Sequence, residues 1–503
     1  MAKKIKLQER RHPDYKSYVE LWKFYNAAYR GGRSFAQSYL STHRLENAKD
    51  FATRKGRAYF LNYCRPIPNI YTEHIYRTPV SRPALFADMQ SNIDGRGTDA
   101  DAFFSRCATL SSVYGQVHVL VDKPRDDTGT SAAEAKKPYG VIYTPEYLLD
   151  WSRNQEDGEL NWALLHEPEY GDDDPTVERE ELHKYRVITR EGWELYQVVG
   201  KKKELAAIDA QPWPDHVAGH VPLVTCVHRD VDMDMVGESM LVDIAPINLA
   251  IMNWCSCIDE QIERQTFSQL VMPDDGEVGG VPLDKLGTST IFTFPKDSKF
   301  SPAFISPDTS QLETIWKMVE RHVGEIYRIA TLEKSGEALT VGQSGIAKAY
   351  EFVDTNGALV QKALNMERFE QSFFDVMARW MGKDECEEKV AYNKDFDVSN
   401  LEKEIKNALD LVTEGFSDTF TKLVYKRLVR RVLTTATQED LATIDKEIEE
   451  ANTSRATEVD LEDNHDEEGD GLDKVFADTS GNGEGEGDSQ GDEAPAGAGE
   501  EAT

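Results

Sequence analysis

The chain has 503 residues, with 90 Asp and Glu against 57 Lys and Arg and a formal net charge of −33. Such acidity argues against a protein that coats DNA through cationic contacts to phosphate, though not against one past which DNA must slide without sticking. The length allows several domains, since single cores stop growing near about 250 to 300 residues, and no stretch approaches the roughly 18 apolar residues of a membrane span, which excludes an integral membrane protein.

The N-terminal MAKKIKLQERRHP has basic residues with no apolar segment behind them, so it is not a secretory signal and the chain is expected to stay in the cytoplasm. After Pro13, the residues Tyr18, Leu21, Trp22, Tyr25, Ala28 and Tyr29 recur at three- and four-residue spacing, and Gly31-Gly32 follows. This predicts a helix with an aromatic core or interface stripe and a glycine stop. A second helix is expected over about 45 to 64, then a connector punctuated by Pro66, Pro68 and Pro79.

From about 115 to 230 the period changes to two. Val117, Val119 and Val121 alternate before Asp122 and Pro124, and further strands are expected at 140–144, 162–165, 185–189, 195–199 and 221–227. Lys201-Lys202-Lys203 after Gly200 reads as a solvated hairpin tip. The second half is mainly helical. Ser239 is a candidate N-cap for a helix to about Phe267, with Leu241, Ile244, Ala245, Leu249, Met252, Cys255, Ile258 and Ile262 along one side and Pro246 expected to bend it. Turn signals between Pro273 and Pro307 surround a short strand expected at 290–293, a small β projection. A helix from near Asp308 carries Leu312, Ile315, Trp316, Val319, Val323, Ile326 and Ile329. It breaks at TLEKSGEALTVGQSG, a long helix follows to about Trp380 with Gly357 inside it, and two or three more span about 399 to 450.

Residues 451–503 hold 17 acidic and 2 basic residues and nine glycines. With almost no large apolar side chain, this stretch cannot bury enough surface to offset its ordering entropy and is expected to be a disordered acidic tail. Its Asp463–Gly469 run has the wrong register for a calcium loop. There is no GxxxxGK[ST] loop, and Gly237-Glu238-Ser239 and Gly342-Gln343-Ser344 lack the glycine pattern of a nucleophile elbow, so both serines read as helix caps. His216 and His220 share an i, i+4 spacing but sit in a Pro- and Gly-interrupted loop, and the six cysteines (Cys64, Cys107, Cys226, Cys255, Cys257, Cys386) lack metal or redox spacing and are expected as free thiols. No catalytic residue, metal site or cofactor is expected.

Taken in order, these segments resemble the portal proteins of tailed bacteriophages. The resemblance rests on the aromatic helix ending in Gly-Gly, on YFLNYCRPIPNIYTEHIYRTP, GQVHVLVDKP, YTPEYLLDW and GESMLVDIAPINLAIMN, and on the β insertion between two helices followed by a loop, a long helix and an acidic tail. It implies a mainly helical α+β fold with an α/β wing (1–237), a first stem helix (238–267), a small β-containing clip (268–307), a second stem helix (308–330), a tunnel loop (331–345), a long wing helix with its connector (346–398), a helical crown (399–450) and the disordered tail (451–503). It also implies a homo-oligomeric ring of about twelve copies closed by head-to-tail contacts, set at one capsid vertex of the virion and assembled in the host cytoplasm. Such a ring conducts double-stranded DNA during packaging and ejection. Its partners would be terminase, a head-tail adaptor, the major capsid protein and scaffold, with no membrane. An acidic bore suits this role, because each cationic phosphate contact resists movement. At the tunnel loop, Glu333, Lys334, Glu337, Thr340 and Gln343 would face DNA, with Gly336, Gly342 and Gly345 giving the loop freedom to move. Two other function classes remain open on the residues alone: a carboxylate- and metal-dependent hydrolase or nuclease, and an acidic regulator that mimics DNA.

Overall fold

Pro13 occupies the first turn of helix α1 (Pro13–Arg30), where its missing N–H would have had no partner in any case. A computed structural model of the chain describes residues 6–44, 46–124, 136–171, 176, 178–199, 204–266, 269–271, 303–305, 310–332, 345–394, 396, 417–432 and 438–450. Trp22, Tyr25 and Ala28 of the predicted stripe are buried, whereas Leu21, at its margin, is exposed. Gly31 ends α1 at φ +60°, and α2 (Gly32–Tyr39) starts at once, so the glycine pair joins two helices.

Helix α3 (Ala48–Arg57), capped by the Asn47 side chain, is shorter than the 45–64 expected. The chain beyond it is drawn out of the helix by Asn248, whose Oδ1 accepts from the Tyr63 N–H at 3.0 Å and whose Nδ2 donates to the Leu61 carbonyl at 2.8 Å. The expected proline connector is in fact helix α4 (Pro66–Ile75). Its two internal prolines both fall in the first turn, where no intrahelical N–H bond is lost. A short α5 (Ala87–Gln90) and α6 (Ala100–Tyr114) complete the N-terminal helices. No strong sequence period announces α6, because it is buried on nearly every side.

Strands β1 (Gln116–Asp122), β2 (Tyr139–Tyr143) and β8 (Leu223–Val227) form an antiparallel sheet in the order β2-β1-β8. All seven β1 residues are buried, so both faces of this strand are covered and the expected alternation of valines does not separate an inner from an outer face. Between them, β3 (Leu148–Arg153), β4 (Leu160–Gly171), β5 (Glu180–Thr189), β6 (Gly192–Val199) and β7 (Glu204–Pro212) make a second, five-stranded antiparallel sheet in sequence order. Strand β7, ELAAIDAQP, is mostly exposed and alanine-rich; its pairing with β6, not its own pattern, makes it a strand. The hairpin tip expected at Gly200 to Lys203 lies outside the described residues.

Helix α7 (Ile244–Thr266) begins five residues after Ser239. Ser239 caps the turn before it, accepting from the Leu241 N–H at 3.0 Å. Pro246 therefore falls in the first turn of α7 and has no intrahelical bond to break, so the expected bend has no cause. Strands β9 (Gln269–Val271) and β10 (Ala303–Ile305) pair antiparallel; the strand expected at 290–293 lies outside the described residues. Helix α8 (Ser310–Ile329) precedes α9 (Gly345–Trp380), which ends where the sequence predicts and carries Gly357 in its interior. Helices α10 (Asp418–Val432) and α11 (Gln438–Glu450) pack together, with Lys426 on Glu449 at 2.5 Å and Arg430 on Asp445 at 2.6 Å. Residues 399–416 and the tail 451–503 lie outside the described residues. The fold is α+β, and the six cysteines are free thiols.

Helix α9 fits into the core built by the first half of the chain. Phe369, Phe373 and Phe374 meet Phe86, Phe103 and Phe104 with ring centroids 5.1 to 6.0 Å apart. Gly140 is required there, because a Cβ at that position would stand 2.9 Å from the Phe373 ring and 3.0 Å from Phe103. Two charges of α9 are also buried. Glu370 pairs with the buried Arg82 at 2.8 Å, and Arg82 also reaches Asp101 at 2.6 Å. Among the described residues Lys362 has no carboxylate partner: its Nζ donates to Ser111 Oγ at 2.7 Å and lies 3.2 Å from His228 Nδ1, near the C-terminal end of α6. Burial pushes the Lys362 ammonium down to about 8, against a partial upward pull from Cys226 and Cys107.

The folded-state pKa of Lys362 is depressed, so its cost to stability is fully present below pH 8 and disappears as pH rises through the ordinary lysine value. That cost is about 3 kcal/mol. Lys362→Met, which keeps the shape and gives up two hydrogen bonds, should stabilise the fold by about 1 to 3 kcal/mol at pH 7 and by much less at pH 10, measured by urea denaturation at both. An equal effect at the two pH values would contradict this account.

Candidate functional site

Helices α7 and α8 pack against each other. Since β9 follows α7, β10 precedes α8 and the two strands are antiparallel, the helices run in opposite directions. At 1.5 Å per residue they are about 35 Å and 30 Å long. The near end of α7 is fixed in the core: Ile244, Ala245, Ile251 and Met252 are buried, and Asn248 holds the 61–64 segment. Arg54 of α3 braces its middle, donating to Ser256 Oγ at 3.0 Å and pairing with Glu46 at 2.6 Å. The Arg54 guanidinium holds the Glu46 carboxyl down to about 2.

The surfaces of the two helices are apolar beyond what one partner covers. On α8, a spacing of 100° per residue places the arc from Met318 through Ile315, Ile326, Val319, Ala330 and Val323 to Trp316 and Tyr327, roughly 180° wide. Val319, Ile326 and Ala330, at the centre of the arc, are buried, while Trp316 towards one margin is 51% exposed and Met318 at the other is 41% exposed. Trp254 and Ile262 of α7 are 42% and 47% exposed. Trp316 belongs to the apolar residues that recur along α8 in the sequence, yet it is half exposed in the isolated chain, because the apolar arc of α8 is wider than one neighbouring helix.

The five residues expected to face DNA, Glu333, Lys334, Glu337, Thr340 and Gln343, lie outside the described residues, as does Ser344. The described chain reaches the start of that segment in a defined geometry. Helix α8 ends with the Leu332 N–H donating to the Tyr327 carbonyl at 3.0 Å and the Thr331 N–H to the Arg328 carbonyl at 3.1 Å, the two bonds of a Schellman cap. The capping position, normally glycine, is Thr331 at φ +51°. A β-branched residue in the left-handed region is strained. Tyr71 of α4 opposes the strain. Its buried hydroxyl donates to the Ala330 carbonyl at 2.8 Å, which leaves the 2.6 Å contact with Thr331 Oγ1 to be donated by the threonine. The sequence gives no glycine at this stop, so the cap is not legible there.

Other candidates resolve into structural roles. Ser239 is buried and donates to the Val113 carbonyl at 2.6 Å. His220 lies 2.6 Å from Glu159. Among the described residues no group of three or more His, Cys, Asp or Glu side chains is placed to hold a metal ion, and no helix is long and apolar enough to cross a membrane.

No protein family matches the chain, and no curated protein is similar to it. Solved structures similar to it include a chain of the neck of a native GTA particle computed with C12 symmetry, at 12% identity and a TM-score of 0.40, covering 81% of this chain and 99% of that one. A chain of the neck of an empty GTA particle computed with C6 symmetry is similar at 12% identity and a TM-score of 0.39, covering 77% and 95%. A chain of the virion of a native gene transfer agent particle is similar at 10% identity and a TM-score of 0.37, covering 78% and 98%.

If the Tyr71 hydroxyl holds the strained cap, Tyr71→Phe should cost about 1 to 2 kcal/mol in urea denaturation. Thr331→Gly, which relieves the left-handed strain, should reduce that cost by at least about 0.5 kcal/mol in the double-mutant cycle. Additive effects would mean that hydroxyl and cap are not coupled.

Proposed function

We propose that this chain is a portal-type subunit: a structural protein that closes into a ring at one capsid vertex and conducts double-stranded DNA into and out of a virus-like particle. The observation that carries the proposal is the α7–α8 pair, two antiparallel helices tens of ångströms long whose apolar surface is left bare on both margins. A subunit in a cyclic head-to-tail ring meets a neighbour on each side, through two different faces, and aromatic side chains in the centre of such contacts supply most of the association energy. Exposed apolar side chains at both margins of the α8 arc, with Trp254 exposed on α7, fit that arrangement.

In this proposal α7 and α8 form the stem, the β9–β10 pair the base of a clip facing terminase and later a head-tail adaptor, and the two sheets with α9 a wing meeting capsid shell and scaffold. The 331–345 segment borders the bore, and α10 and α11 form the crown. The net charge of −33 lowers the affinity of the bore for phosphate and so its friction with moving DNA. The chain acts as a conduit without catalysis, and ATP hydrolysis belongs to a separate motor.

Purified protein should form rings with a central hole in negative stain, and the mass of the intact assembly should be an integral multiple, near twelve, of the 56.8 kDa chain. Trp316→Asp combined with Trp254→Asp should convert rings to monomers while leaving the unfolding transition of the subunit within about 0.5 kcal/mol, as expected for exposed positions. A monodisperse wild-type monomer, or rings unaffected by the double substitution, would count against the α7–α8 interface.

A further inference from the structure

Strands β4 and β5 pair over ten consecutive positions, from Trp162 with Thr189 to Gly171 with Glu180, the longest ladder among the described residues. Along it His166 lies opposite Tyr185, and His183 lies two residues further along the ladder, opposite Pro168, so the two histidines are diagonal neighbours on one face. His166 Nε2 and His183 Nδ1 are 3.3 Å apart, while the ring centroids are 5.4 Å apart. The difference is about the sum of two ring radii, so the rings meet nitrogen to nitrogen and do not lie face to face. Tyr185 packs on His166 with centroids 5.1 Å apart and fixes the orientation of its ring.

Two ligands of a tetrahedral zinc ion, each at 2.0 to 2.1 Å, lie about 3.3 to 3.4 Å apart. The histidine nitrogens already stand at that separation, on a backbone ordered by the ladder, so little further ordering is needed for both to bind one ion. We propose that His166 and His183 form a two-histidine site for a divalent transition-metal ion of the zinc type, with the remaining positions taken by water. Both side chains are half-buried, which leaves room for those waters. Metal-binding imidazole must be neutral, so uptake of the ion should weaken as pH falls. In the metal-free chain the two nitrogens stand within hydrogen-bond distance of each other, and the ion would replace that contact. Imidazole favours zinc, copper and nickel over magnesium and calcium, which prefer oxygen. The abundant surface carboxylates are therefore separable competitors.

The test uses the tag-free full chain in excess Mg²⁺, which occupies carboxylate sites, with Zn²⁺ titrated by calorimetry. One Zn²⁺ per chain should bind at pH 8, weaken strongly at pH 5.5, and be lost in both His166→Gln and His183→Gln. Zinc should also raise the melting temperature of the wild type and leave that of each variant unchanged. In the unmutated chain, zinc should protect His166 and His183, and no other histidine, from modification by diethyl pyrocarbonate as read by peptide mass, a result independent of how the variants fold. No zinc uptake, uptake retained in either variant, or absence of protection at these two residues would overturn the proposal.

Discussion

Six phenylalanine rings hold the two halves of this chain together. Phe86, Phe103 and Phe104 come from the N-terminal helices, and Phe369, Phe373 and Phe374 from one face of α9; their contacts join segments more than 250 residues apart in sequence. Buried aromatic pairs of this kind contribute about 0.5 to 1.5 kcal/mol each beyond the area they remove from water. The β1–β2–β8 sheet is closed by the same helix, and Trp380 at its end donates to the Val121 carbonyl at 3.1 Å. Without α9, β1 would lose cover, and Arg82 would lose the carboxylate that compensates its burial.

The placement of α9 determines where the other long helices project. Helix α7 is fixed at its near end by Asn248 and at its middle by Arg54, while the apolar arc of α8 is covered only along its centre. The two exposed tryptophans of the chain, Trp254 and Trp316, both lie on this helical pair. Exposed tryptophans on a highly acidic chain are a liability unless another surface covers them, and in the proposed ring of identical subunits one type of contact would cover them. The net charge complements this, since repulsion opposes unspecific aggregation while buried apolar contact selects the specific one.

Polar groups are used economically within this scaffold, and where they depart from the rule the departure is local. Glu370 and Arg82 are buried as a pair. Lys362 is buried without a carboxylate among the described residues and relies on Ser111, His228 and the end of α6. Thr331 takes a conformation suited to glycine at the border of the 333–344 segment, with Tyr71 set against it. A strained cap fixes the direction in which the chain leaves α8 more tightly than a glycine would, because fewer conformations satisfy it.

The amino-acid sequence alone determines the elements whose cause is local. Helix α1 follows from Pro13 and an aromatic stripe, α9 from a long apolar period ending at Trp380, and the strands β2, β5 and β6 from alternation bounded by turn residues. The α+β class and the interruption between α8 and α9 are legible in the same way. Tertiary structure decides what depends on distant partners. It makes a helix of 66–75 despite its prolines, keeps 58–64 out of a helix through Asn248, and turns the nearly patternless β7 into a strand by pairing it with β6. It also leaves Trp316 half exposed although it belongs to the apolar repeat of its helix, and brings His166 within 3.3 Å of His183 across 17 residues. Periodicity records which side of an element is apolar, but coverage and proximity depend on what packs there, and that is set by contacts between residues hundreds of positions apart.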